Sequence, residues 1–300
     1  MKTSLGVNTG FAVNRYPEAM EWAKIISESG VSNVQLTADI INVSLPEAII
    51  RDETKKIISA CNYFDLKITS CFTGAFTRVN HLAHPDKEIQ KYWINWFKRF
   101  AVLTRELDCD TFGSHFGIFS MQDYNNVQSR KIRRGQNIEN WHEVAEFSDS
   151  IGIKKIIWEP MSIGREQGET ILACHDLQKD VNTNAPIPFK LCLDVDHGDV
   201  SSKDPKDTDP YYWLETFATE SPVVHLKQSS ANKGGHWPFT NEYNDLGNIQ
   251  TKPVLDALEK GGCKEVEFIL ELSFKERQPF DSNVEYSLKN SVDFWKLVNK

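Results

Sequence analysis

The sequence predicts a single (β/α)8 TIM barrel, and three observations carry that expectation. First, four short apolar runs each end on a carboxylate or an imidazole: Ile156-Ile157-Trp158-Glu159, Leu191-Cys192-Leu193-Asp194, Val223-Val224-His225 and Phe268-Ile269-Leu270-Glu271. Runs this short, bounded by polar turn residues, read as buried strands of a parallel sheet. Second, the terminal residues stand 35, 31 and 46 positions apart, room each time for a loop, a helix and another loop. Third, the 300-residue length is about that of one such barrel.

The elements follow in order. Ser4–Asn8 is the first strand, and the helical stretch after it has Pro17 at a first-turn position and Gly30 just past its end. Asn33–Thr37 is the second strand. Ser44-Leu45-Pro46-Glu47 has the spacing of a capping box that would open the next helix. Leu66–Phe72 and Thr111–His115 are the third and fourth strands, and the four runs above are the fifth to the eighth. Ser282-Asn283-Val284-Glu285 is a second capping-box pattern, after which Val284, Leu288, Val292 and Trp295 recur at helical spacing. Eight alternations with right-handed crossovers close naturally into a barrel. An open doubly wound sheet is disfavoured, because Asn8-Thr9-Gly10-Phe11 is not a Gly-rich phosphate turn. No linker composition interrupts the chain, so residues 1–300 read as one domain.

Composition excludes several function classes. A hydrophobic fraction of 40%, with 17 Phe and 8 Trp, supplies a large core. The net charge of −8 gives no field that attracts nucleic acid. The six cysteines are scattered without a CxxC pair, which suits reduced thiols in a cytoplasmic protein. Met1-Lys2-Thr3-Ser4 leads directly into a strand, so no signal peptide is expected, and no apolar run is long enough to span a bilayer. The expected partner is a small molecule, with neither nucleic acid nor membrane.

Active groups of such barrels gather at the C-terminal ends of the strands, where Glu159, Asp194, His225 and Glu271 all stand. Alternation places Glu159 and Ile157 inward and turns Trp158 toward the helices. Carboxylates and an imidazole without a thiolate suit one hard-to-borderline divalent ion per chain, Mn²⁺ first, with Mg²⁺ or Co²⁺ as alternatives. Asp196 competes with Asp194 for the ligand role, but the apolar run stops at Asp194, so Asp196 is expected to be solvated or paired in its loop.

Around them, His115 closes the fourth strand, either hydrogen-bonded to the site or holding the wall. His81, His84, His142 and His175 read as ordinary loop or helix residues. The basic run Ser129-Arg130-Lys131-Ile132-Arg133-Arg134 reads as solvated charge. His236-Trp237-Pro238-Phe239-Thr240, in the long stretch before the eighth strand, reads as a lid or substrate wall.

Two neighbours of the strand ends sharpen the picture: Pro160 follows Glu159 directly, and His197 lies three residues after Asp194. With the four strand ends, these resemble the xylose-isomerase-like barrel superfamily and, within it, the ketose 3-epimerase branch. The strings Trp158-Glu159-Pro160-Met161-Ser162-Ile163, Asp194-Val195-Asp196-His197-Gly198-Asp199-Val200 and His236-Trp237-Pro238-Phe239-Thr240 are similar to those of tetrulose-phosphate (erythrulose-phosphate) 3-epimerases. The resemblance implies a sugar-phosphate isomerase that inverts the carbon next to the ketone by enolisation beside a carbonyl polarised by the ion, with Glu159 and Glu271, from the fifth and eighth strands, removing and returning a proton on opposite faces. It implies one metal on Glu159, Asp194, His225 and Glu271, with His197 donating a hydrogen bond to the developing oxyanion, and assembly as a homodimer or homotetramer.

Departures from the branch lie at Ala231, where an Arg is expected, and at Arg165, where a Glu is expected and Glu166 stands one further on. Substrate contacts are therefore expected from His197, Arg165, Glu166, Lys227, Lys233, Trp237 and Arg277, with Lys227, Lys233 and Arg277 as phosphate cations. The competing readings are a free-ketose 3-epimerase, an aldose–ketose isomerase on the same metal, and an endonuclease of the endonuclease IV type. The last is opposed by Cys71-Phe72, Ser229 and Ala231 where further ligands are required, and by the acidic balance.

Overall fold

In a computed structural model describing residues 1–230 and 234–296, eight parallel strands pair in chain order, and the first closes on the last. The strands are β1 Lys2–Asn8, β2 Asn33–Thr37, β3 Lys67–Phe72, β4 Thr111–His115, β5 Lys155–Glu159, β6 Phe189–Asp194, β7 Val223–Leu226 and β8 Glu265–Leu270. The longer crossover helices are α1 Ala19–Ser29, α2 Glu47–Tyr63, α3 Lys87–Glu106, α5 Val127–Ser150, α6 Ile171–Asn182, α9 Thr251–Lys260 and α10 Val284–Trp295. Shorter helices α4 (Met121–Asn125), α7 (Pro210–Thr216) and α8 (Asn241–Leu246) lie between them. None of the helices in the described residues is long and apolar enough to cross a membrane.

The barrel interior follows from the two-residue period. Phe72, Ile157, Cys192, Val223 and Ile269 form one closed cluster inside it. Glu159, Asp194, His225 and Glu271 each stand two residues beyond a member of that layer, so all four point into the barrel just above it. Gly113 makes room for the layer, since a Cβ there would press into the Ile157 carbonyl and the Phe72 ring. Trp158 turns outward as expected, where its indole donates to Gln178 Oε1 of α6 at 2.7 Å. All six cysteines are buried and unpaired.

Helix ends depart from expectation. Gly30 closes α1 in the left-handed region at φ 94°, but Pro17 lies outside the helix, and Glu21 caps the Glu18 N–H. Ser44 forms no capping box. Its N–H donates to Asn42 Oδ1 at 2.8 Å, an Asx turn that holds Ser44-Leu45 off the helix, so α2 starts at Glu47 behind Pro46. Ser282 is spent on Gln278 Oε1 at 2.6 Å within a short turn ahead of α10. In each case a nearer local acceptor or donor outcompetes the helix end.

Candidate active site

One ligand atom from each of Glu159, Asp194, His225 and Glu271 lies within 4.8 Å of every other, a grouping that can hold a metal ion. The donor set, three carboxylates and an imidazole, suits a divalent ion that prefers oxygen and nitrogen. His225 is fully buried, with Nδ1 at 3.1 Å from Glu159 Oε1 and 3.6 Å from Glu271 Oε2. Its Nε2 lies 2.8 Å from Gln35 Oε1, the carbonyl end of a buried amide that also accepts from Asn8 Nδ2 at 2.7 Å and donates to Ser70 Oγ at 3.1 Å. An amide oxygen only accepts, so Nε2 carries a proton, and Nδ1, which faces the Glu159 and Glu271 carboxylates, is the nitrogen that would give its lone pair to a bound ion.

Asp194 is held from two sides. Its Oδ1 accepts from the Asp196 N–H at 2.6 Å, and its Oδ2 is ion-paired with the Lys227 ammonium. Lys227 also reaches Glu271 Oε2 at 3.1 Å and His236 Nδ1 at 3.0 Å, and it is completely buried. Lys227 is therefore not a free cation at the rim but an ion-paired one in the cavity floor. It stands two residues past His225, one beyond the end of β7 and in phase with its inward face, and is drawn into the carboxylates. Burial opposes charge on Asp194, but His197 and Lys227 outweigh it and hold the carboxyl well below the usual range. Burial likewise opposes charge on Glu271, and Lys227 and His225 lower it. Burial would depress Lys227, yet Asp194 and Glu271 raise it.

His197 donates Nδ1–H to the Pro160 carbonyl at 2.8 Å, which leaves Nε2 facing the cluster, 3.7 Å from Asp194 Oδ2. In its neutral form that nitrogen accepts a hydrogen bond. It donates only when the ring is charged, which narrows the donor role expected for it. Asp196 is buried, not solvated. It accepts from Ser229 Oγ and from the Gly234 and Gly235 N–H groups, pinning the loop after β7.

A cavity of about 430 Å³ opens over the cluster, floored by Glu159, Glu271, His197, Lys227 and His236. Its walls come from loops after β1, β2 and β3 and include Arg15, Asp39 and Arg78. Arg15 is fastened by Asp281 at 2.7 Å and the Phe274 carbonyl, and Arg78 by the buried Glu166 at 2.6 Å. His115 also lines the cavity. Its Nε2 lies 3.1 Å from the Thr77 carbonyl, its ring centroid is 4.2 Å from that of His81, and burial takes its pKa down to about 4. His81, expected to be ordinary, is buried at φ 33° with its pKa held well below 6.5 by burial and by His115.

Several expected contacts are not brought together here. The Arg165 guanidinium donates to the Phe119 carbonyl at 3.0 Å and ties two loops, outside the cavity lining. Glu166 reaches the cavity only through Arg78. Arg277 is exposed and does not line the cavity. Trp237 stacks on Tyr243 at 5.2 Å and lines a second, neighbouring cavity, while His236 beside it lines both. Lys233 and Ala231 lie outside the described residues. The basic run on α5 pairs locally, Arg133 with Asp123 and Arg134 with Asp180. Sequence reasoning passed over Gln35, Arg15 and Arg78, and named His236 only within the string expected to form a lid or wall. Of these Gln35 carried a signal, a lone amide between Val34 and Leu36 in a buried strand, which must find partners.

Residues 23–296 match the family model of the xylose isomerase-like TIM barrel. The chain is 40% identical over 297 residues to D-erythrulose 1-phosphate 3-epimerase of Brucella abortus (strain 2308), covering 98% of this chain and 96% of the relative. Among solved structures, a Rhodospirillum rubrum ATCC 11170 protein named as a candidate xylose isomerase superposes with a TM-score of 0.87 at 23% identity, over 98% of this chain and 99% of that one. A D-psicose 3-epimerase superposes at 0.69 and 15% identity, over 99% of both chains. The chain is thus an isomerase that belongs to the xylose isomerase-like TIM-barrel family, on its ketose 3-epimerase branch.

Proposed function

We propose that the chain inverts C3 of a short ketose phosphate, erythrulose 1-phosphate being the substrate best supported, with one divalent ion, Mn²⁺ first, held by Glu159, Asp194, His225 and Glu271. The observation that carries this reading is that two of the four clustered groups, Glu159 and Glu271, face the cavity, while Asp194 and His225 lie beneath it. The named function of the 40%-identical relative supports the substrate.

A divalent ion bound there supplies a Lewis acid that makes the proton beside the ketone more acidic. Glu159 and Glu271 rise from β5 and from the end of β8, so a sugar between them meets a carboxylate on either face. One removes the C3 proton and the other, protonated, returns one to the opposite face, which inverts the centre. Lys227, 3.1 Å from Glu271, places a fixed positive charge beside the carbon chain as it becomes anionic. His197 offers Nε2 to a substrate hydroxyl. Arg15 and Arg78 are the cavity cations fit for the phosphate, each with one guanidinium edge already held by a carboxylate.

The test is the reaction run in deuterated water on erythrulose 1-phosphate. The proposal expects the C3 epimer with deuterium at C3. An aldose product, or a C3 epimer without label, would overturn it.

A further inference from the structure

We infer that Lys227 is a resident counter-cation that competes with the divalent ion for Asp194 and Glu271, weakening the ion's binding while cancelling the residual charge of the site. The inference rests on the metal reading above and goes beyond it.

Three observations support it. Lys227 is completely buried, and its ammonium is ion-paired with Asp194 Oδ2 and hydrogen-bonded to Glu271 Oε2 at 3.1 Å and to His236 Nδ1 at 3.0 Å. Two of those acceptors belong to the four-residue cluster itself. The position is also constrained, because Lys227 directly follows β7 in phase with His225, and the next residue, Gln228, is bridged to Trp237.

The charges then decide the effect. Glu159, Asp194 and Glu271 contribute three negative charges and neutral His225 none, so a divalent ion alone leaves the site with one net negative charge. With Lys227 the sum is zero. While all three carboxylates are ionised, an incoming sugar phosphate is repelled by the first arrangement and not by the second. The same ammonium repels a divalent ion and holds two of its oxygens, which lowers the ion's affinity. A lysine that merely oriented Asp194 and Glu271 for the metal would have the opposite effect, and the sign separates the two roles.

The experiment is a calorimetric titration of Mn²⁺ into metal-stripped wild type, Lys227→Gln and Lys227→Met, with near-UV circular dichroism as the check on folding. The expected result is Mn²⁺ binding at least about tenfold tighter in both variants, since one positive charge has left a low-dielectric site. Affinity that is unchanged or weaker in a folded variant overturns the inference and leaves the metal reading standing. No saturable binding to any of the three proteins overturns both.

A second measurement needs no stable variant. In ¹⁵N-lysine-labelled wild type the Lys227 ammonium should give a slowly exchanging resonance, as expected of a buried group, and saturating Mg²⁺ should shift it. Mg²⁺ binding that leaves this resonance in place overturns the inference.

Discussion

Replacing Lys227 by Met should cost the fold several kcal/mol even where no metal is present, because the ammonium is half of a fully buried ion pair. Its loss leaves the clustered carboxylates of Asp194, Glu271 and Glu159 inside the barrel without the ammonium that now pairs with Asp194 and, at 3.1 Å, with Glu271. Breaking a buried pair from one side costs about 3–5 kcal/mol, most of it the uncompensated charge. For a chain of 300 residues, unfolding entropy of roughly 2.1 cal/mol/K per residue turns that into a fall in Tm of about 5–8 °C. The assay is thermal unfolding in EDTA of wild type, Asp194→Ala, Lys227→Met and the double variant. The double variant should recover at least about 2 kcal/mol relative to the sum of the singles, because neither charge is then left alone. A Tm drop below about 2 °C, or strictly additive single effects, would refute the argument from the buried pair.

Other outcomes follow from the same geometry. Glu159→Gln and Glu271→Gln should each abolish epimerisation, read as loss of C3 deuterium incorporation, because inversion needs a base on both faces. Turnover of a tetrulose phosphate should exceed that of the free sugar by roughly two orders of magnitude in kcat/KM, ~3 kcal/mol. Changing Arg15 and Arg78 together to Met should erase that preference, whereas Arg277→Met should leave it intact. Gln35→Leu should weaken Mn²⁺ binding by about 10–100-fold, since the amide no longer fixes which His225 nitrogen faces the cluster. His115 shapes acid stability. Its pKa falls from 6.5 to about 4 on folding, so the unfolded chain takes up the proton first. Stability that is full above pH 6.5 should decline as the pH falls toward 4, by up to ~3 kcal/mol, and His115→Gln should flatten that slope in urea titrations at stepped pH.

The barrel and its four clustered groups could be read from the chain because both depend on alternation, which sequence displays directly. β2 and β4 have the expected bounds, and each clustered residue is in phase with an interior apolar one two places earlier. What eluded sequence reasoning depends on distances between elements remote along the chain. Arg15 and Arg78 lie in irregular segments, and only the closed barrel brings their loops over strands five and eight. Lys227 was read by charge type as a rim cation, although its register with His225 already placed it inside. Trp237 was taken for the wall because aromatics near a Pro are stiff, but Tyr243 offers it a stacking partner and His236 faces the cavity instead.

The amide of Gln35 divides the labour of this barrel between its two halves. Every residue of the clustered set comes from the second half of the chain, yet the group that selects the working nitrogen of His225 sits on β2 and is itself steadied by Asn8 of β1 and Ser70 of β3. A half-barrel made of β5–β8 alone would carry all four donors with one of them free to flip. Grafting this centre onto another eight-stranded scaffold therefore requires importing an amide from the opposite wall, and recombination between relatives will preserve the centre only when both halves derive from parents that keep this bond.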